Sequence, residues 1–219
     1  MLKNDVEVEE LEYESITTNS GGVILGNMIQ LKIVYWGPGE SGKTTNFLRL
    51  KEKFDSHRVT RGYSIETNDG RTLWQDSMFL SFEATINQQD YMIIVHVVTC
   101  TGQERFLSTR EYVLEGADGI MFVADSQPEL LEQNKRSFRE LLSFASPRRI
   151  PYIIQLNKRD IESKIEITEF KKQLGLPSED QYADGTLVVY PVIALTGQNV
   201  AETFRDLLGQ VLFNLFNFS

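Results

Sequence analysis

The octapeptide Gly37-Pro38-Gly39-Glu40-Ser41-Gly42-Lys43-Thr44 decides the reading of this 219-residue chain. It fits G-x-x-x-x-G-K-[ST], and its flanks are those the pattern requires. Before it, Ile29 to Trp36 (IQLKIVYW) predicts a strand; after it, Lys43 to about Lys53 predicts a helix. Glycines between a strand and a helix let backbone N–H groups curl around phosphate oxygens, and the helix N-terminus adds a favourable dipole. Gly37, Gly39, Glu40, Ser41, Gly42, Lys43, Thr44 and Thr45 are therefore expected to cradle a nucleoside triphosphate. Lys43 would neutralise the outer phosphates, and Thr44 would offer its hydroxyl to Mg²⁺.

Outward from this loop, short apolar runs alternate with helical periods. Phe79 to Ile86 and Tyr91 to Thr99 predict two strands joined through Asn87-Gln88-Gln89-Asp90 as a hairpin. Gly119 to Ala124, Tyr152 to Leu156 and Val188 to Ile193 predict three more. Between them lie helical stripes: Leu130, Leu131, Asn134 and Phe138; then Ile167, Phe170 and Leu174, closed by Gly175 and Pro177. The last stripe is Phe204, Leu207, Leu208, Val211, Leu212 and Leu215. This alternation predicts an α/β fold, a six-stranded, mostly parallel sheet with one antiparallel edge strand and helices on both faces.

At the end of the Tyr152–Leu156 strand stands Asn157-Lys158-Arg159-Asp160. The Asp160 carboxylate can accept hydrogen bonds from guanine N1–H and the 2-amino group. Adenine has no donor there and would leave a buried acceptor unpaired, a mismatch that can discriminate by about 10⁴. Guanine is the expected base, with Asn157, Lys158 and Asp160 around it. Ala194-Leu195-Thr196, after the last strand, places Ala194 and Leu195 where a backbone amide can face the guanine O6.

Composition narrows the class. Hydrophobic residues make up 41% and charged residues 24%, which excludes collagen-like, low-complexity and disulfide-framework chains. The longest purely apolar runs are a few residues, far below the roughly 20 of a membrane-spanning helix. Cys100 is the single cysteine, so no intrachain disulfide forms and a cytoplasmic location is expected. The net charge of −9, with no basic cluster, argues against a nucleic-acid partner. Residues 1–28 hold six acidic side chains against Lys3, and Thr17 to Gly22 reads as a turn or linker. The expected division is an acidic, flexible tail over 1–28 and one domain over 29–219. An extra edge strand through the alternation of Val6, Val8, Leu11 and Tyr13 is the competing reading of the tail. His57 and His96 are too few and badly spaced for a metal site. Phe216 reads as core, whereas Phe213 and Phe218 could meet a partner or a membrane.

From about Leu31 to Leu212 the chain resembles the small Ras-like GTPases, P-loop NTPases by fold, and more closely their MglA-type branch of bacteria and archaea. The matching stretches are VYWGPGESGKTTN at 34–46, RTLWQD at 71–76, TGQE at 101–104, FVADSQ at 122–127 and IQLNKRD at 154–160. The resemblance implies that Thr72 is the switch threonine that senses Mg²⁺ and the γ-phosphate, and that Arg71 is an intrinsic arginine finger. It implies that Gln103, with Gly102 beside it, orients the attacking water. The segment departs from the usual Asp-x-x-Gly, reading Thr99-Cys100-Thr101-Gly102, so Mg²⁺ falls mainly to Thr44, Thr72 and phosphate oxygens, with Asp76 as a further candidate through water. Thr101 stands where the MglA branch has proline.

The resemblance implies a cytoplasmic GTP/GDP switch that hydrolyses GTP slowly, with a roadblock-domain, MglB-like protein as its activator. Gln103, Arg71 and Lys43 are the expected catalytic residues. A scaffold that binds guanine nucleotide without hydrolysing it is the alternative, motivated by Thr99 and Thr101. A phosphotransferase acting on a small acceptor finds no acceptor or lid motif in support.

Overall fold

The computed structural model describes residues 15–17, 23–59, 74–100, 112–181 and 187–217. Strand β3 (Met28–Trp36) is the axis of the molecule. Its first half alternates half-buried Met28, Gln30 and Lys32 with buried Ile29 and Leu31, whereas Ile33 to Trp36 are buried throughout. That change marks where the strand passes from being covered on one face to being covered on both. Helix α1 (Lys43–Lys53) follows the glycine-rich loop. Next come β4 (Trp74–Ile86) and β5 (Gln89–Cys100), an antiparallel pair in continuous register from Asp76↔Thr99 to Ile86↔Gln89. The turn between them is only Asn87-Gln88, tighter than the sequence predicts. Both residues take left-handed φ values of 50° and 67°, which matches the twist of the flanking strands.

The rest of the chain alternates β6 (Gly119–Asp125), α2 (Leu131–Arg148), β7 (Tyr152–Asn157), α3 (Ile167–Leu174), β8 (Tyr190–Pro191) and α4 (Val200–Asn217). The six central strands run β4-β5-β3-β6-β7-β8, and β4 alone among them is antiparallel to its neighbour. The expected fold is thus the observed one. β8 is shorter than the Val188–Ile193 run predicts. Tyr190 and Pro191 pair with Gln155 and Leu156, and the Val192 N–H closes the pairing on the Leu156 carbonyl at 3.0 Å, where β7 itself is about to end at Asn157.

Two short strands lie inside the stretch read as the acidic tail. β1 (Ser15–Thr17) pairs with β2 (Val23–Leu25), which turns through Gly26-Asn27 onto Met28–Gln30 of β3. Gly26, with φ 57°, and Asn27 form a two-residue hairpin signal that a boundary at 28 cuts across. The edge of β3 is therefore shared: β2 occupies Met28–Gln30, and β6 takes over from Ile33. At the fork, the Lys32 N–H donates to the Asp118 carboxylate at 2.7 Å and the Asp118 N–H donates to the Lys32 carbonyl at 2.8 Å. The residues of the competing edge-strand reading, Val6 to Tyr13, lie outside the described ones.

Two cores flank the sheet. On one side, Ile29, Ile33, Phe47, Leu50, Val123, Phe204 and Leu207 join the strands to α1 and α4. On the other, Val34, Trp36, Phe122, Phe138, Leu141 and Phe170 join them to α2 and α3. Phe216 packs edge-on against Tyr91 at 5.3 Å, whereas Phe213 is exposed. Cys100 is buried.

Candidate functional site

The chain crosses from the β5 side of β3 to β6 on its other side. Crevices for ligands form beyond the C-terminal ends of strands at such a reversal. The Gly37–Thr44 loop leaves β3 there, and its shape depends on two glycines. At Gly37 (φ 148°) a Cβ would lie 2.2 Å from the Val123 carbonyl oxygen, and at Gly42 (φ 98°) it would lie 2.3 Å from Asn157 Nδ2. Glu40 also adopts a left-handed φ of 61° and is exposed, while Gly39 is half-buried.

Gly42 caps α1 without any side-chain cap, and no acidic residue stands in the first turn of that helix. The leading N–H groups of Lys43, Thr44 and Thr45 thus face the loop, where an anion would satisfy them. Lys43 is buried, and its ammonium folds across the loop to the carbonyls of Gly37 (3.1 Å) and Pro38 (2.6 Å). Ser41 Oγ is buried with no protein partner among the described residues. A concave loop lined by N–H groups, one ammonium and an orphaned hydroxyl is chemically suited to a polyphosphate.

Asn157 connects this loop to the expected base-reading segments. Its Nδ2 donates to the Ser41 carbonyl at 2.8 Å, and its Oδ1 accepts the Ala194 N–H at 2.9 Å. Lys158, left-handed at φ 64°, pairs its ammonium with Asp125 at 2.6 Å. Asp125 is fully buried, and its other oxygen accepts the Gln127 N–H at 2.9 Å, while Asn134 closes both of its backbone groups. The Arg159 guanidinium holds the Ile165 carbonyl at 2.6 Å, and burial lowers its pKa. Asp160 is exposed, and Leu195, which follows Ala194, is 64% exposed.

A third cluster lies where α1 meets β4. Thr44 Oγ1 donates to Asp76 Oδ2 at 2.9 Å, and Thr99 Oγ1 donates to the same oxygen at 2.9 Å while accepting the Asp76 N–H at 3.0 Å. The register shift between Trp74 and Asp76 sets this aim, as bulges commonly do. Three hard oxygens, one of them a carboxylate, fit a magnesium ion shared with phosphates. Among the described residues no group of three or more His, Cys, Asp or Glu could hold a metal by itself.

With this geometry in view, the similarities to known proteins are direct. The ADP-ribosylation factor (Arf) family profile matches residues 83–211. The mutual gliding-motility protein MglA of Myxococcus xanthus is 33% identical over 192 residues, covering 85% of this chain and 93% of that protein. ADP-ribosylation factor-like protein 6 of Caenorhabditis elegans is 28% identical over 83% of this chain and 86% of its own length. The Ras-related protein Rab-7b of Paramecium octaurelia is 26% identical over 80% and 78%.

The chain is a small Ras-like GTPase of the MglA type that carries the Arf family profile.

In this GTPase the expected phosphate-loop residues, Asn157, Lys158 and Ala194 come together at one end of the sheet. Arg71, Thr72, Gly102 and Gln103, like Thr101, lie outside the described residues. Sequence reading missed three contributors: Asp125 as the ion-pair partner of Lys158, Thr99 as a donor to Asp76, and Arg49 as a contact of the Leu195 loop. Asp125 had a signal in the FVADSQ match at 122–127 and Thr99 in the Thr99–Gly102 segment, whereas Arg49 had none. No helix among the described residues is long and apolar enough to cross a membrane.

Proposed function

We propose that this GTPase is a switch that binds GTP with Mg²⁺ and hydrolyses it to GDP and phosphate, exposing different surfaces in the two states. The observation that carries the proposal is the Asn157 carboxamide, which spans from the Ser41 carbonyl to the Ala194 amide. One side chain thereby sets the spacing between a polyphosphate loop and a guanine-reading loop. The γ-phosphate would hold the segments of about 58–76 and 101–112, and hydrolysis would release them.

The catalytic work is mostly positioning and charge neutralisation. Lys43 exchanges its carbonyl partners for phosphate oxygens, and the α1 N-terminus supplies further N–H donors. Thr44 and Asp76, with Thr72, would hold Mg²⁺, which neutralises charge on the β- and γ-phosphates when bound. Gln103 orients the water, and Arg71 stabilises charge developing on the phosphates, an effect worth about 10³ to 10⁵ in rate. Asp160, Lys158 and the Leu195 amide read the base.

The non-hydrolysing scaffold rests on Thr99 and on Thr101, the latter outside the described residues. The Asp76 carboxylate, 2.9 Å from both Thr44 and Thr99, supplies the acidic oxygen that position 99 lacks and supports the hydrolase reading. The MglA relative supports a roadblock-domain, MglB-like activator, and a cytoplasmic place of action goes with the nucleotide chemistry. Single-turnover phosphate release from GTP tests the proposal, with ATP as competitor and with the activator added or withheld. GTP should be hydrolysed slowly alone and faster with the activator, and Gln103→Leu and Arg71→Ala should each reduce the rate at least tenfold. Unchanged rates in both variants would remove the mechanism.

A further inference from the structure

The guanidinium of Arg49 reaches out of α1 to a loop almost 150 residues further along the chain. Its Nε and Nη2 both donate to the Leu195 carbonyl, at 3.1 and 2.7 Å, and its Nη1 pairs with Glu52 at 2.7 Å. The side-chain stem lies against the same loop, since a Cβ at Gly197 would meet Arg49 Cδ at 3.9 Å. The loop is a tight turn, in which the Thr196 and Gly197 N–H groups both donate to the Ile193 carbonyl, at 3.1 and 3.0 Å.

These bonds hold the peptide planes on either side of one amide. The Ala194 N–H is taken by Asn157, and the Leu195 carbonyl is taken by Arg49. Because each peptide is rigid, the plane between them, which carries the Leu195 N–H, keeps little freedom to rotate. Among the described residues that N–H has no hydrogen-bond partner, and it is the amide expected to face guanine O6.

We infer that Arg49 is a positioning residue for base recognition: by clamping the Leu195 carbonyl it aims the Leu195 N–H at the purine 6-oxo group. This rests on the guanine-nucleotide reading above. Arg49 would act through the Leu195 carbonyl and not on the base itself, and it stands on the helix whose first turn carries Lys43 and Thr44, so the phosphate and base contacts share one rigid element. A two-donor, planar clamp on one carbonyl fixes its direction in a way a lysine cannot fully reproduce.

The test compares two ligands, GDP and 2-aminopurine riboside 5′-diphosphate, which lacks the 6-oxo group, across wild type, Arg49→Met and Arg49→Lys. Methionine keeps the stem and removes the donors, and thermal melting of each variant reports folding. Arg49→Met should weaken GDP about three- to tenfold and leave the aminopurine nucleotide within about twofold. Arg49→Lys should recover part of the GDP loss. Equal weakening of both ligands would mean general loop damage and overturn the assignment, as would unchanged GDP affinity. A wild type that already fails to prefer GDP would instead remove the guanine reading, and the assignment with it.

Discussion

His96 shows how a single buried side chain ties this sheet to pH. It stands directly across from Lys32 in the β3–β5 register, its Nε2 lies 2.9 Å from Ser77 Oγ, and Phe79 stacks on its ring at 4.4 Å. Burial, and secondarily the Lys32 charge, lower its pKa from 6.5 to about 4. Between those values the unfolded chain binds the extra proton and the folded chain does not, so stability rises with pH up to about 6.5 and then levels. Acidification from pH 7 to 4.5 should therefore cost on the order of 2 kcal/mol through this group, and His96→Leu should remove that part of the slope in urea denaturation followed against pH. Gly42 is a sharper case. Gly42→Ala meets both a left-handed backbone and Asn157 Nδ2, so GDP affinity measured by fluorescent titration should fall more than tenfold. The glycines of the loop were legible from sequence because their spacing is diagnostic. The Asp125–Lys158 pair was not, because nothing in a separation of 33 positions indicates that two strand ends will meet.

At the scale of elements, β4 does more than close the sheet. Its irregularity between Trp74 and Asp76 turns Asp76 toward the first turn of α1. Asp76→Ala should raise the Mg²⁺ concentration needed to retain bound nucleotide about tenfold, read from GDP release in metal buffers, while release in excess chelator stays as in wild type. A residue's aim across a bulge depends on one unpaired position in a ladder, which periodicity in sequence cannot register. Elements whose faces are strongly patterned were legible: α1, α2, α3, α4 and the buried strands β6 and β7 fall where apolar spacing places them. The departures occurred where pairing, not pattern, sets the limits. β8 stops where its partner ends, since β7 closes at Asn157 before the left-handed Lys158, and β1 and β2 form because Gly26-Asn27 folds the chain back beside β3 despite the acidic run ahead of them.

Over the whole molecule, two cores on opposite faces flank the sheet, and Gly119 is a point of close approach between sheet and helix. A Cβ there would lie 2.7 Å from Val211 Cγ2 and 3.3 Å from Leu207 on α4. Gly119→Val should cost about 1–3 kcal/mol by overpacking, seen as a lower midpoint in thermal melting. The layered fold was legible from the alternation of strands and helices alone, because every parallel crossover must bury both faces of the sheet. What links the two ends of the nucleotide site was not, since it depends on the carboxamide of Asn157 and the guanidinium of Arg49 reaching across sequence distances that only the finished fold collapses. The shared edge of β3 has a practical corollary. Met28–Gln30, where the hairpin attaches, and Gly37 stand at opposite ends of one stiff extended segment, roughly 25 Å apart at about 3.3 Å per residue. A fluorophore attached at position 15, which pairs with Leu25 beside Met28, would thus stand away from the phosphate loop, a place to watch this protein work without standing in its doorway.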